Sequence, residues 1–190
     1  YHTQLNQPQI AELFQNSFPV TQNELINLLP SQTAKCKFQR IARELLTHIT
    51  DAPKLAVIGS TSFWGNSSKA ICQAAGRYLA KIDDLVMLTG GVSGIPEAVS
   101  RSFSTNKVFH VQPQGSLPWD YGHNLYGGLD YRERREVLAR MASVYLLIEG
   151  GPGSEHEARR ALQMGAVVIP VGRSGGFAEQ LYAQINCPDY

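Results

Sequence analysis

The sequence has few cysteines, a net charge near zero and no long apolar run. These features argue against a disulfide-rich protein, a nucleic-acid-binding protein and a membrane protein, respectively. Its three cysteines, Cys36, Cys72 and Cys187, are odd in number and far apart, which favours reduced thiols in a cytoplasmic protein over a disulfide framework. No Cys-x-x-Cys pair indicates zinc, and we expect no metal and no other cofactor. The net charge of +1, from 17 basic and 16 acidic residues, favours a small anion over nucleic acid as the partner. Because no apolar run has transmembrane length, we expect no membrane partner.

The first 53 residues predict helices and connectors rather than strands. Thr21 and Glu24 have the spacing of a capping box ahead of an apolar segment. Apolar residues then recur at helical spacing from Phe38 to Ile49, which predicts an amphipathic helix that packs on the rest of the chain. We therefore assign residues 1–53 to an N-terminal helical extension and residues 54–190 to a nucleotide-binding domain.

From residue 54 onward, short apolar runs alternate with segments of helical spacing. The apolar runs are Leu55–Ile58, Leu85–Leu88, Val108–Val111, Val144–Ile148 and Val167–Val171. The helical segments are Ser67–Lys81, Ile95–Phe103, Tyr131–Met141, Glu155–Met164 and Phe177–Gln184. Runs without polar alternation are typical of parallel strands buried on both faces. The alternation predicts an α/β domain of Rossmann type, with a doubly wound parallel sheet, helices on both faces, and ligands bound beyond the carboxyl ends of the strands.

Three predicted strand-to-helix turns, at residues 59–62, 89–94 and 149–157, are rich in glycine or small hydroxyl residues. Such residues let a backbone approach a ligand closely, and the helix starts offer unpaired N–H groups to an anion. The candidate phosphate- and nucleotide-binding residues are Gly59, Ser60, Gly90, Gly91, Ser93, Gly94, Gly150, Gly151, Gly153 and Ser154. The third turn gives the strongest local signal, because its glycines would gather successive amides ahead of a helix. The glycines of the second turn are explained equally well without a ligand, because many tight turns need glycine.

Arg134 stands out on the helix predicted from Tyr131. It is in line with Leu138 and Met141, the spacing of a buried stripe, whereas its neighbours Arg132 and Arg135 are expected to point elsewhere. A buried arginine needs an anionic partner, which is either a glutamate of the third turn or a ligand phosphate.

Glu157 has two interpretations. Ser154 and Glu157 have Ser-x-x-Glu spacing, so both side chains could cap the helix that they begin. Alternatively, Glu157 is a carboxylate that acts on a bound ligand.

Two segments together resemble a known pair of motifs. Tyr-Arg-Glu-Arg-Arg at 131–135 is followed, after thirteen residues, by Glu-Gly-Gly-Pro-Gly-Ser-Glu-His-Glu at 149–157. The pair resembles the signature of the LONELY GUY (LOG) family, Met-His-x-Arg-Lys and Pro-Gly-Gly-x-Gly-Thr-x-x-Glu at the same separation. The first two glycine turns also match in kind and order, so the resemblance spans residues 55–177. Nucleotide-sensing domains of TRPM channels, DprA-like DNA-binding proteins and molybdenum-cofactor carriers belong to the same wider SLOG superfamily.

The resemblance implies a homodimeric enzyme that hydrolyses the N-glycosidic bond of a nucleoside 5′-monophosphate. The catalytic arginine of the family falls on Arg134 and its catalytic glutamate on Glu157. Glu149 stands where the motif has proline, and Ser154 where it has threonine, which indicates a divergent branch. The alternative function is a sensing or carrier module that binds a nucleotide or an ADP-ribose-type ligand without cleaving it.

The segment from Pro113 to Asp130 is rich in aromatic and amide side chains. These residues are Trp119, Tyr121, His123, Asn124 and Tyr126. They predict either a stacking wall for a base, a packed surface loop or a dimer contact.

Overall fold

The computed structural model describes residues 37–185, and the predicted capping box at Thr21 and Glu24 lies outside them. The helices are α1 (37–46), α2 (Ser68–Leu79), α3 (Ile95–Arg101), α4 (Tyr131–Leu138), α5 (Pro152–Gln163) and α6 (Gly176–Ile185). The strands are β1 (Lys54–Gly59), β2 (Val86–Thr89), β3 (Val108–Gln112), β4 (His123–Tyr126), β5 (Val144–Ile148) and β6 (Val167–Val171). Short 3-10 turns at Thr105–Lys107 and Gly172–Ser174 complete the described elements.

The strands form one parallel sheet in the order β4-β3-β2-β1-β5-β6, which confirms the predicted Rossmann-like class. All five predicted apolar runs are strands. β4 was not predicted, because its sequence His-Asn-Leu-Tyr is a short edge segment with no apolar run, and its end residues are exposed. It pairs with β3 and turns part of the predicted 113–130 loop into sheet.

Successive residues of each central strand face opposite sides of the sheet and enter two separate cores. On β1, Ala56 and Ile58 belong to the core that also includes residues of α4, α5 and α6, whereas Leu55 and Val57 belong to the core beneath α2 and α3. The helices therefore cover both faces, as predicted.

The apolar stripe from Phe38 to Ile49 lies against the first of these cores. Ala42 and Ile49 are buried in it, and Phe38, Ile41, Leu45 and Leu46 pack on it. The stripe thus packs as expected, while the division of the chain at residue 53 stays a prediction. Within residues 37–185, no helix has the length and apolar character needed to cross a membrane.

The topology opens a crevice at one place on the carboxyl edge of the sheet. The chain runs from β1 through β2 and β3 to β4 on one side, then returns to β5 and β6 on the other side of β1. Gly59, at the end of β1, is in register with Ile148, at the end of β5. A Cβ at Gly59 would lie 2.4 Å from the Ile148 carbonyl oxygen, so only glycine fits there. Ligands of doubly wound sheets bind at such a switch point.

Candidate functional site

A cavity of about 530 Å³ lies at this carboxyl edge, between the ends of the central strands and helices α4 and α5. Arg134, Arg135 and Glu157 bring ionisable groups to it, and Trp119 and Tyr131 bring aromatic rings. Its volume suits a small organic ligand of nucleotide size.

Arg134 and Glu157 form a buried ion pair in the cavity wall. The Arg134 Nη1 donates to Glu157 Oε1 at 2.5 Å, and the two side chains are 5% and 8% exposed. The predicted stripe position of Arg134 explains its burial. Within residues 37–185, the second Glu157 oxygen, Oε2, has no hydrogen-bond donor. The pair therefore fixes one carboxylate oxygen and leaves the other available at the cavity.

Gly90 sets the position of the Arg134 guanidinium. A Cβ at Gly90 would lie 2.2 Å from Nη1 and 2.8 Å from Cζ of Arg134, so the guanidinium rests directly on the Gly90 backbone. The Arg134 Nε is buried and has no hydrogen-bond partner among the described residues. An unpaired buried donor is costly, so a ligand acceptor that reaches it would be stabilising.

The third glycine turn begins α5 earlier than predicted. The helix begins at Pro152 with Gly151 as its N-cap, rather than at Glu155, because proline is favourable in a first helical turn. The first N–H with an acceptor inside the helix is that of Glu155, which donates to the Gly151 carbonyl at 2.9 Å. The N–H groups of Gly153 and Ser154 are therefore the unpaired amides of the helix start, and both residues line the cavity.

The capping-box interpretation of Glu157 fails on this geometry. A capping box needs its serine at the N-cap, but Ser154 is already inside α5, and α5 has no side-chain cap. Glu157 instead lies in the second turn of the helix, where its carboxylate meets Arg134.

Arg135 reaches the cavity, although its position on the helix predicted that it would point elsewhere. Its guanidinium lies over Gly153, where an added Cβ would be 2.9 Å from Nη2. No carboxylate within residues 37–185 pairs with it. A helical stripe describes Cβ directions, but a long flexible side chain can bring its head group back toward a neighbouring helix start. The second basic residue of the LOG motif falls on Arg135 and could have indicated it.

Glu149 directly precedes the glycines of the third turn in the sequence, but it does not line this cavity. It is fully buried, and its carboxylate accepts hydrogen bonds from the Ser60 and Ser68 hydroxyls and from the Trp64 N–H. Its backbone has a φ of 56°, the left-handed conformation that is uncommon outside glycine. The backbone therefore turns this charge toward α2 and holds the first turn against the third.

A buried histidine organises the second glycine turn. The His110 Nε2 lies 3.1 Å from the Tyr121 carbonyl, so Nε2 carries the proton and Nδ1 accepts from the Thr89 hydroxyl at 2.7 Å. The Thr89 oxygen in turn accepts from the Gly91 N–H at 3.2 Å. Burial lowers the pKa of His110 to about 4, so the imidazole is neutral near pH 7.

Six of the ten predicted binding residues line the cavity, and four do not. Those in the lining are Gly59, Gly90, Gly91, Ser93, Gly153 and Ser154. Among the others, Ser60 holds Glu149, and Gly94, with a φ of 80°, packs on the backbone of the first turn. Gly150 accepts from the Phe177 N–H, and Gly151 lies beside Trp64. Their role in ligand binding stays a prediction.

The predicted aromatic segment divides between the cavity and the core. Trp119 lines the cavity, whereas the Tyr121 hydroxyl is 2.8 Å from the Ser100 hydroxyl and its ring packs on the second core. Val57 and Ile58 of β1, Thr61 and Tyr131 also line the cavity and were not predicted to bind. Residues 37–185 contain no cluster of three metal-ligand side chains.

Comparison with known proteins gives a family and a fold. The sequence model of the SLOG cluster4 family matches residues 52–187. The X-ray structure of TM1055 is 28% identical over 68% of this chain and 79% of its own, with a TM-score of 0.58. The molybdenum cofactor carrier protein of Chlamydomonas reinhardtii is 19% identical over 71% of this chain and 85% of its own, with a TM-score of 0.57. No protein of curated function matches the chain.

A third structure corrects the expected range of partners. DNA processing protein A from Helicobacter pylori is 18% identical over 70% of this chain and 73% of its own, with a TM-score of 0.52, and it has a single-stranded DNA binding mode. The exclusion of nucleic acid on net charge is therefore wrong, because this fold also serves a DNA-binding protein. A net charge averages over the whole chain and overlooks a local cation such as Arg135, which no carboxylate within residues 37–185 pairs with.

Proposed function

The chain belongs to the SLOG cluster4 family, and from that premise we propose that its cavity binds a nucleoside 5′-monophosphate and hydrolyses the bond between base and ribose. The products would be the free base and ribose 5-phosphate. The buried pair of Arg134 and Glu157, with one carboxylate oxygen held and the other open to the cavity, carries this proposal.

The phosphate would bind at the start of α5. The unpaired Gly153 and Ser154 amides and the positive end of the helix dipole favour an anion there. Arg135 adds a guanidinium that no carboxylate within the described range neutralises. These groups would hold the phosphate and leave the sugar near Glu157.

Hydrolysis breaks the C1′–N bond and forms a C1′–O bond to water. The sugar becomes cationic as the base leaves, and Glu157 Oε2 would stabilise that charge and orient the attacking water. The water proton then leaves with the base, so the reaction needs no other reactant. Arg134 keeps the carboxylate in one orientation through its bond to Oε1.

The test is base release from a panel of nucleoside monophosphates, with Glu157→Gln and Glu155→Gln compared. Glu157→Gln retains an acceptor for Arg134, so we expect nucleotide affinity to change little and base release to fall by about a hundredfold or more. Glu155→Gln is the matched control, because Glu155 is a partly exposed residue of the same helix and pairs with Arg159. Full activity of Glu157→Gln, or no turnover of any nucleotide by the unmodified protein, would end the enzymatic proposal.

One observation favours a second candidate, a module that binds a nucleotide without cleaving it. Arg134 and Glu157 form an ion pair at 2.5 Å that neutralises both buried charges, which gives the carboxylate a structural role without any substrate. Nucleotide binding without base release in the same panel would support this candidate.

A homodimeric state and a cytoplasmic location, both expected from the sequence, also stay proposals. Sedimentation at micromolar concentration tests the homodimer.

A further inference from the structure

A second cavity of about 480 Å³ adjoins the first one. Gly91, Trp119 and Tyr131 line both cavities, so the two share a wall. The second cavity also contains Gln112, at the carboxyl end of β3, and it lies on the side away from Glu157. A ligand whose phosphate is at the start of α5 can extend past these aromatic rings toward Gln112.

The orientation of a neighbouring amide, that of Asn124, is fixed by the backbone. Asn124 Oδ1 accepts from the Trp119 N–H at 2.9 Å, and Asn124 Nδ2 donates to the Trp119 carbonyl at 3.1 Å. Since an N–H only donates and a carbonyl only accepts, the amide of Asn124 cannot be reversed without losing both bonds.

This arrangement fixes Gln112 as well. Because Asn124 presents an acceptor, Gln112 must present its Nε2, which donates to Asn124 Oδ1 at 2.7 Å. The side chain of Gln112 is also held flat on Gly91, where an added Cβ would be 2.4 Å from Gln112 Cγ. Gln112 is 3% exposed, and within residues 37–185 nothing donates to its Oε1. The second cavity therefore has a rigid hydrogen-bond acceptor that cannot become a donor.

We propose that Gln112 determines which base is accepted, and that it selects bases with an exocyclic amino group, with 6-aminopurine favoured over 6-oxopurine. This inference rests on the proposed binding of a nucleoside monophosphate. The 6-amino group donates to Gln112 Oε1 while the ring stacks on Trp119 or Tyr131. A 6-oxo group in the same position would set two acceptors against each other. Gln112 cannot rotate to present its amide NH₂ in that position, because Nε2 donates to Asn124 Oδ1 and a reversed amide would place two oxygens against each other there.

The experiment compares adenosine and inosine 5′-monophosphate by equilibrium binding, in the Glu157→Gln background so that neither ligand is consumed. We expect adenosine monophosphate to bind about tenfold tighter or more, the value of one buried hydrogen bond and its unpaired alternative. In Gln112→Met, which keeps length but removes the acceptor, the ratio should fall close to one through loss of affinity for the adenine nucleotide. Gln114→Met, at an exposed glutamine two residues after the end of β3, is the matched control and should keep the ratio.

A second measurement removes the donor from the ligand instead of the acceptor from the protein. Purine riboside 5′-monophosphate lacks the 6-amino group, and we expect it to bind about tenfold more weakly than the adenine nucleotide to the protein with Gln112 intact. Equal affinities for the three ligands, or a preference that survives Gln112→Met, would overturn the role of Gln112 while leaving the proposed function in place. Binding of none of the three would overturn the proposed function and this inference with it.

Discussion

Gly90→Ala should break the candidate site without changing any of its functional groups. Gly90 does not have a positive φ, so its backbone accepts alanine. The added methyl would lie 2.2 Å from Arg134 Nη1, and ordinary van der Waals contact needs about 3.4 Å or more. The guanidinium must therefore move by about 1 Å, away from a position in which it donates to Glu157 at 2.5 Å.

The size of the effect follows from that displacement. A shift of about 1 Å lengthens the contact beyond hydrogen-bond range but leaves the two charges near each other. The loss is that of a hydrogen bond between charged groups, about 1.5–3 kcal/mol of the free energy of unfolding. In a chain of 190 residues each 1 kcal/mol lowers Tm by about 2–4 °C, so we expect a loss of roughly 3–12 °C. If Glu157 is catalytic, a misplacement of about 1 Å lowers base release by about a hundredfold.

A double-mutant cycle assigns this loss to Arg134. The free energy of unfolding is measured by chemical denaturation for the unmodified protein, Gly90→Ala, Arg134→Ala and the double variant. With Arg134 truncated, the methyl at position 90 has nothing to displace, so its cost should nearly vanish. Gly65→Ala, where an added Cβ meets only Ser68 Oγ at 3.3 Å, controls for a glycine substitution in a neighbouring turn. An equal cost of Gly90→Ala in both backgrounds would refute the reasoning.

Three further outcomes are expected. Arg135→Ala removes a charged donor, so it should weaken nucleotide affinity, measured by titration calorimetry, about tenfold to a hundredfold. Arg132 is exposed, so Arg132→Ala should leave the affinity unchanged, and equal effects of the two variants would contradict the proposed phosphate role of Arg135. Burial lowers the pKa of His110 to about 4 against an ordinary 6.5, so the unfolded chain takes up the proton first. Neutral His110 therefore contributes about 3 kcal/mol to the free energy of unfolding above pH 6.5, and this contribution is lost as the pH falls to 4. Chemical denaturation across that pH range should show no such loss in His110→Gln. Burial, with Glu149 adding to it, raises the pKa of the Cys72 thiol to about 12, so peptide-resolved mass spectrometry should show alkylation of Cys72 only after unfolding, and rapid labelling of the folded protein would contradict this.

The sheet could be predicted where strands are buried on both faces, since an apolar run is then the whole signal. β1, with the sequence Lys-Leu-Ala-Val-Ile-Gly, is such a strand. β4 has no comparable signal: it is a four-residue edge strand whose pairing with β3 depends on the return of the 113–122 loop. Edge strands are specified by tertiary pairing more than by their own sequence, so a local pattern misses them.

The site could be predicted as far as side-chain direction follows from spacing. Arg134 was found because its stripe faces inward, and its burial and bond to Glu157 agree with that position. Arg135 was missed because its contact with Gly153 depends on how α4 and α5 pack, which spacing within one helix does not contain. The amide chain from Trp119 through Asn124 to Gln112 likewise depends on the pairing of β3 with β4.

Glu149 shows why a residue can be identified as unusual and still be misplaced by sequence reasoning. In sequence it is next to the predicted phosphate turn, where a carboxylate would repel the ligand. In the fold, its left-handed backbone sends the carboxylate to Ser60 and Ser68, and its own N–H donates to the Ser174 hydroxyl at 2.7 Å. One buried residue thus connects the turn after β1 and the start of α2, through its carboxylate, with the turn after β6, through its backbone N–H. Gly153 and Ser154 closely follow this tied segment. The same charge that would oppose a phosphate at the cavity wall therefore holds in place the backbone that we propose binds the phosphate.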